Sequence, residues 1–165
     1  MKFLENNGKN LHELSMDNVN RSLKLSIAQF CPNLQKIFIL FKDDEMDILK
    51  TIFNSCEYLE SINVWCGNWY LNEKELLEGV AKYSPKNFFE LKIYNQSISE
   101  LIPEDLESFF ISWGNRLPQK PLTLIISKDG ICNYGLDVNE ENIRTIEKYK
   151  QLGIIKKFEF ETKEF

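Results

Sequence analysis

One spacing constrains this chain more than any other: an apolar residue, two variable ones, a second apolar residue, one variable residue, and a third apolar one. It is clearest in the stretch from Cys56 to Trp65, where Leu59, Ile62 and Val64 hold the apolar positions. Its ending, apolar-x-apolar, is the alternation of a short strand with one buried face. The same spacing recurs at Leu11, Leu14 and Met16, at Leu34, Ile37 and Ile39, and at Phe88, Leu91 and Ile93. Weaker copies follow at Pro121, Leu124 and Ile126 and at Ile155, Phe158 and Phe160. First positions lie 23, 25, 29, 33 and 34 residues apart.

The intervals carry helical periodicity. Val19, Leu23, Ile27 and Phe30 share one helical face, with Asp17 or Asn18 placed to cap, and Cys31-Pro32-Asn33 ends that helix because the residue before proline avoids helical geometry. A strand is predicted from Gln35 to Phe41. Met46, Leu49, Ile52 and Phe53 mark a second helix, ending at Cys56 in register with Cys31. After a longer loop, Cys66 to Tyr70, the third helix runs from Asn72 to Tyr83 with Leu76, Leu77, Val80 and Tyr83 inward, and Asn72 with Glu75 resembles a capping box. Pro103 opens a fourth helix striped by Leu106, Phe109, Phe110 and Trp113. Lys128 to Gly135 reads as an irregular turn-rich segment, and Asn139 to Gln151 as a last helix with Ile143, Ile146 and Tyr149 on its face and Gly153 past its end.

Strand-plus-helix units repeating at twenty-odd residues are the signature of a leucine-rich repeat, whose units bury their apolar faces only by stacking. The fold class expected is therefore α/β: a leucine-rich-repeat solenoid of about six strand-helix units, with a curved parallel sheet on the concave face. Residues 1–165 read as one domain. The charged tail, Glu161 to Phe165, suits a terminal unit facing water. At the other end, either Phe3 and Leu4 belong to a small capping helix or the chain is the C-terminal part of a longer solenoid; the scarcity of covering residues before Leu11 favours the second.

Composition narrows the function classes. The net charge of −5 and the lack of a long basic run argue against nucleic acid as partner, since affinity for phosphate comes mainly from Lys and Arg. No run of about eighteen apolar residues exists to span a membrane. Met1 to Asn7 is too polar for a secretory signal, which places the protein inside the cell, in cytoplasm or nucleus. In that setting Cys31, Cys56, Cys66 and Cys132 read as free thiols, Cys31 and Cys56 being small apolar residues at helix ends. No CxxC occurs, His12 is the only histidine, and no Gly-rich phosphate loop is present. No metal site, cofactor or enzyme is expected on those grounds. Charged clusters such as Lys42-Asp43-Asp44-Glu45, Pro103-Glu104-Asp105 and Glu140-Glu141 read as solvated helix starts.

The run from Ala28 to Ile39, and its second copy from Ile52 to Ile62 with Glu57 in the proline position, resembles the cysteine-containing leucine-rich repeats of F-box proteins. The likeness covers most of Leu11 to Phe160. The resemblance is especially close to the expanded F-box-like repeat proteins of arbuscular mycorrhizal fungi, through Leu49 to Tyr58, Tyr83 to Phe88 and Pro103 to Trp113. The chain departs from the family where a cysteine or asparagine often follows the strand; Val19, Lys42 and Gly67 stand there. The F-box itself, which docks on the Skp adaptor of a cullin ubiquitin ligase, is not in this sequence. The resemblance thus implies only substrate recognition, with Skp and cullin as partners only if a longer chain supplies an F-box. The alternative is a stand-alone scaffold or inhibitor of the same shape.

In such a solenoid the residues between the buried strand positions face outward. One column is Ser15, Phe38, Asn63, Lys92, Ile125 and Glu159; the neighbouring one is Asp17, Leu40, Trp65, Tyr94, Ser127 and Glu161. The expected partner is a protein target on this concave face, with Phe38, Leu40, Trp65, Tyr94 and Ile125 as anchors and Asn63 and Lys92 as orienting polar groups. The competing expectation is that the Cys66 to Tyr70 loop covers Trp65 and Tyr94. Exchanging those two for serine is expected to abolish binding while leaving the melting temperature nearly unchanged.

Overall fold

The computed structural model describes residues 2–129 and 135–163. Helices and strands alternate along them: α1 Lys2–Asn7, β1 Glu13–Met16, α2 Arg21–Phe30, β2 Lys36–Ile39, α3 Met46–Ser55, β3 Ser61–Cys66, α4 Glu73–Tyr83, β4 Glu90–Asn95, α5 Pro103–Gly114, β5 Leu122–Asp129, α6 Glu140–Gln151 and β6 Ile155–Lys163. The strands form one all-parallel sheet in strict chain order, β1 to β6. Parallel neighbours need a crossover, and each interval supplies a helix. Consecutive helices from α2 to α6 touch one another, so they lie in a single row on one side of the sheet.

The core lies between that row and the sheet. Ile37 and Ile39, Ile62 and Val64, Leu91 and Ile93, and Leu124 and Ile126 alternate inward along successive strands and join the buried helix residues in one cluster. The first apolar position of each clear copy has a separate task. Leu34, Leu59 and Phe88 are buried just before their strands, each closing a tight turn by donating its N–H: to the carbonyl of Cys31 (3.4 Å), of Cys56 (3.1 Å) and of Pro85 (3.1 Å). One residue on, Gln35 donates to His12, Glu60 to Gln35 and Phe89 to Glu60, at 2.7–2.9 Å, so each unit is pinned to the one before. In the last unit the register slips: Leu122 pairs with Ile155 but Thr123 pairs with Lys157.

Helix ends follow local chemistry. Asn20, Asn72 and Asn139 accept N–H donors of the first turns of α2, α4 and α6, and Pro103 opens α5. Asn20, rather than Asp17 or Asn18, is thus the cap of α2. Cys31 and Cys56 close α2 and α3 as expected, and the Cys56 thiol lies 3.3 Å from the Cys31 carbonyl. At the N-terminus, residues 2–7 are helical and Leu4 is buried in the core cluster. The irregular segment expected from Lys128 to Gly135 falls largely outside the described residues.

Two features differ from the sequence reading. Strand β2 stops at Ile39 instead of Phe41, because its ladder ends there, with Met16–Ile39 and Phe38–Asn63 as the last pairs on its two sides. Glu45, expected at a solvated helix start, is 4% exposed and pairs with Lys24, 1% exposed, on the preceding helix α2; its carboxylate also accepts the Lys42 N–H at 2.9 Å. The Lys24 ammonium lies 5.5 Å from the Phe41 ring centroid. Charges out of water are tolerated only when paired and hydrogen-bonded, and this pair is both. Among the described residues no helix is long and apolar enough to cross a membrane.

Candidate functional site

With the helices on one side, the alternate strand residues face the other. The cross-strand register places Ser15, Phe38, Asn63, Lys92, Ile125 and Glu159 side by side, each the Cα partner of the next. Trp65, Tyr94, Ser127 and Glu161 form a second row in the same way. Asp17 and Leu40 lie one residue beyond the ends of β1 and β2 and have no register partner, so the expected second column is complete only from β3 onward.

The open face carries a continuous strip of rings. The Phe38 and Tyr94 centroids are 5.9 Å apart and tilted by 50°, Tyr94 and Trp65 stack at 5.2 Å and 17°, and Trp65 meets Tyr70 at 5.8 Å. Offset stacks of this kind stabilise by ~1 kcal/mol beyond area burial. Phe38, Trp65, Tyr94 and Tyr70 are all half-buried. The loop after β3 folds Tyr70 against Trp65, yet each ring keeps exposed surface. Tyr70 itself was missed as a member of the strip, for it lies outside the repeat and reaches it only because the Gly67 to Leu71 turn brings the chain back beside β3.

Ile125 is a correction. It was expected as an exposed anchor, but it is only 8% exposed. Lys92 on β4 reaches across β5 to pair with Glu161 on β6, and the two long side chains roof the strand between them. Burial lowers the Lys92 pKa, but hydrogen bonds to Glu161 and Tyr94 outweigh it and the ammonium is held above its ordinary range. Its Nζ also lies 5.2 Å from the Tyr94 ring centroid. Lys92 is thus a partnered residue bracing the strip. Asn63 stands half-buried between Phe38 and Lys92 in the row.

Beside the rings is a groove of ≈ 400 Å³, lined among others by Lys36, Phe38, Asn63, Glu90, Lys92 and Glu161. Its charges are answered within the face: Lys36 meets Glu13 at 3.5 Å, Lys92 pairs with Glu161, and the Ser61 hydroxyl donates to Glu90 at 2.8 Å. A larger cavity of ≈ 510 Å³ is the valley between α4 and α5, but its apolar residues Leu77 and Phe109 are buried in the core. The sheet face, with its half-exposed rings, is the better candidate for recognition.

Cys31, Cys56 and Cys66 are buried thiols. Burial raises the pKa of Cys31, lifts Cys56 to about 12 with Cys31 beside it, and pushes Cys66 well up with the Glu73 charge adding, so none is a thiolate at neutral pH. Among the described residues no group of three or more His, Cys, Asp or Glu side chains is placed to hold a metal ion.

The fold and face define an α/β chain with an all-parallel sheet, helices on one side and an aromatic strip on the other. Comparison with protein-family models, with curated proteins and with solved structures finds no match for this chain.

Proposed function

We propose that the chain is a non-catalytic protein-binding module, a leucine-rich-repeat solenoid that recognises a protein target on the concave face of its sheet. The observation that carries this reading is the ring strip of Phe38, Tyr94 and Trp65, half-exposed on a face that the helices leave open. Aromatic residues are enriched among those that dominate binding energy, and stacked rings lose little entropy on binding. The anchors are Phe38, Trp65 and Tyr94, with Asn63 orienting the partner. The repeated turn at Cys31, Cys56 and Pro85 and the sequential sheet support the solenoid. By its likeness to the repeats of F-box proteins, the target would be one destined for ubiquitin transfer by other subunits.

Affinity capture from a cell lysate tests the reading, with wild type beside the Trp65→Ser/Tyr94→Ser double variant and a Tyr94→Phe control that keeps the stack. A protein retained by wild type and by the control, and lost with the double variant at a temperature where circular dichroism finds both folded, supports it. Equal recovery by all three baits removes the site from this face.

A further inference from the structure

A second exposed indole stands away from the sheet face. Trp69, in the loop between β3 and α4, is 79% exposed. The loop around it is firmly built. Gly67 and Asn68 both take positive φ, +88° and +49°. The Asn68 amide donates to the Gln96 carbonyl at 3.1 Å, the Trp69 carbonyl accepts from Asp43 N–H at 3.2 Å, and Tyr70 pairs with Lys42. Glycine is required at 67 for a second reason, since a Cβ there would collide with the Ser97 hydroxyl. Three loops, those following β2, β3 and β4, are thereby locked together at the carboxyl end of the sheet, with the indole presented outward. An aromatic held out to water on a prebuilt loop loses little order on binding.

Next to it is a cavity of ≈ 430 Å³, lined by residues of the same loops, Asn68 and Tyr70 on either side of Trp69 among them. Ile98, 59% exposed, adds apolar surface to its wall. Asp43, Glu75 and Glu100 also line it, are exposed, and have no lysine or arginine paired with them among the described residues. The cavity's other charges are already answered. Lys74 pairs with Asp105 at 2.8 Å, and Glu73 accepts from Asn95 at 2.7 Å and Ser99 at 2.8 Å. Lys42 lines a separate groove with Asn20 and Asp44. The rim therefore joins exposed apolar surface to unanswered negative charge, the complement of a cation carried beside an apolar side chain.

We infer that the loops after β2, β3 and β4 form a second docking surface, for a basic protein segment in which lysine or arginine alternates with apolar residues. Trp69 and Ile98 receive its apolar side chains, and Asp43, Glu75 and Glu100 receive its cations. The surface meets the ring strip of the open face at Tyr70, which lines the cavity and packs on Trp65.

Fluorescence anisotropy with a labelled peptide of four Arg-Leu repeats tests this, with a four-fold Glu-Leu peptide as charge control. Wild type is expected to bind the basic peptide and not the acidic one. Asp43→Asn/Glu75→Gln/Glu100→Gln and, separately, Trp69→Ser should each weaken binding about tenfold or more. Because the whole chain is acidic, a distant variant removing the same number of exposed charges, Glu5→Gln/Glu57→Gln/Glu147→Gln, must lose much less. The proposal is overturned if wild type does not bind, if the distant variant loses as much as the rim variant, or if Trp69→Ser leaves affinity unchanged.

Discussion

Lys92 and Glu161, 69 residues apart in the chain, pair across the strand that separates them. The pair skips a strand, joining β4 to β6 and closing over Ile125, much as the Phe38 and Tyr94 rings meet across β3. Since the Lys92 pKa is raised in the native state, the stability it contributes is fully present below the ordinary lysine value of 10.5 and is lost as pH climbs through the higher native value. Glu161 is partly exposed, which limits the pair to about 1 kcal/mol or less. Lys92→Met is expected to lower urea stability by no more than that at neutral pH, with the deficit shrinking in 1 M salt, about three Å of screening length. A deficit insensitive to both salt and high pH would mean that the pair contributes through packing alone.

Lys24 and Glu45 should behave very differently. Both are buried, so Lys24→Met strands a carboxylate in the core and is expected to cost about 3–5 kcal/mol. Adding Glu45→Gln removes the stranded charge while keeping an acceptor for the Lys42 N–H, and should recover much of the loss. A double-mutant cycle by chemical denaturation measures the recovery. Simple additivity of the two losses would show that the residues do not act as a pair.

Glu73 opens α4 from a buried position. Burial raises its pKa above the ordinary 4.5, against hydrogen bonds from Asn95 and Ser99 that lower it. The native state therefore holds the proton more tightly than the unfolded chain, and the carboxylate becomes a destabilising charge as pH rises from 4.5 through the native value. Glu73→Gln should match wild type in melting temperature at about pH 3.5 and exceed it at pH 7. Melting curves across that range check the sign; a variant less stable at pH 7 would show that the hydrogen bonds outweigh desolvation.

In a Cys132→Ser background, Cys31, Cys56 and Cys66 should react with a thiol reagent about a hundredfold or more slower in the native protein than in guanidinium. Thiol titration followed over time reads this directly. Fast native labelling at Cys56 would contradict its burial at a helix end.

Much of this architecture was legible from spacing alone. The period-two ending of each repeat sets which side of a strand each residue takes, so the column from Ser15 to Glu159 emerged from sequence as the register later placed it. What escaped depended on distant pairing. Ile125 looked exposed because its alternation said so, while its cover comes from residues on the two flanking strands. Lys24 occupies an inward position of α2 that helical periodicity assigns to an apolar residue, and only its contact with Glu45 makes a lysine tolerable there. Leu40 was placed in a column that the strand does not reach, since the pairing of β2 ends at Ile39. Tyr70 joins the strip through the Gly67 to Leu71 turn, which lies outside the repeated spacing.

Strict chain order in the sheet also bears on how such a molecule changes over generations. Where each unit leans only on the units before and after it, whole units can be duplicated, lost or lengthened without rewiring the remainder, and the intervals here already vary from 23 to 34 residues. The tie from Lys92 to Glu161 breaks that freedom locally. Inserting a unit between β4 and β6 would pull the two charges apart and uncover Ile125, so the C-terminal third of the chain is under a restraint on length, as the Phe38–Tyr94 contact restrains the stretch from β2 to β4.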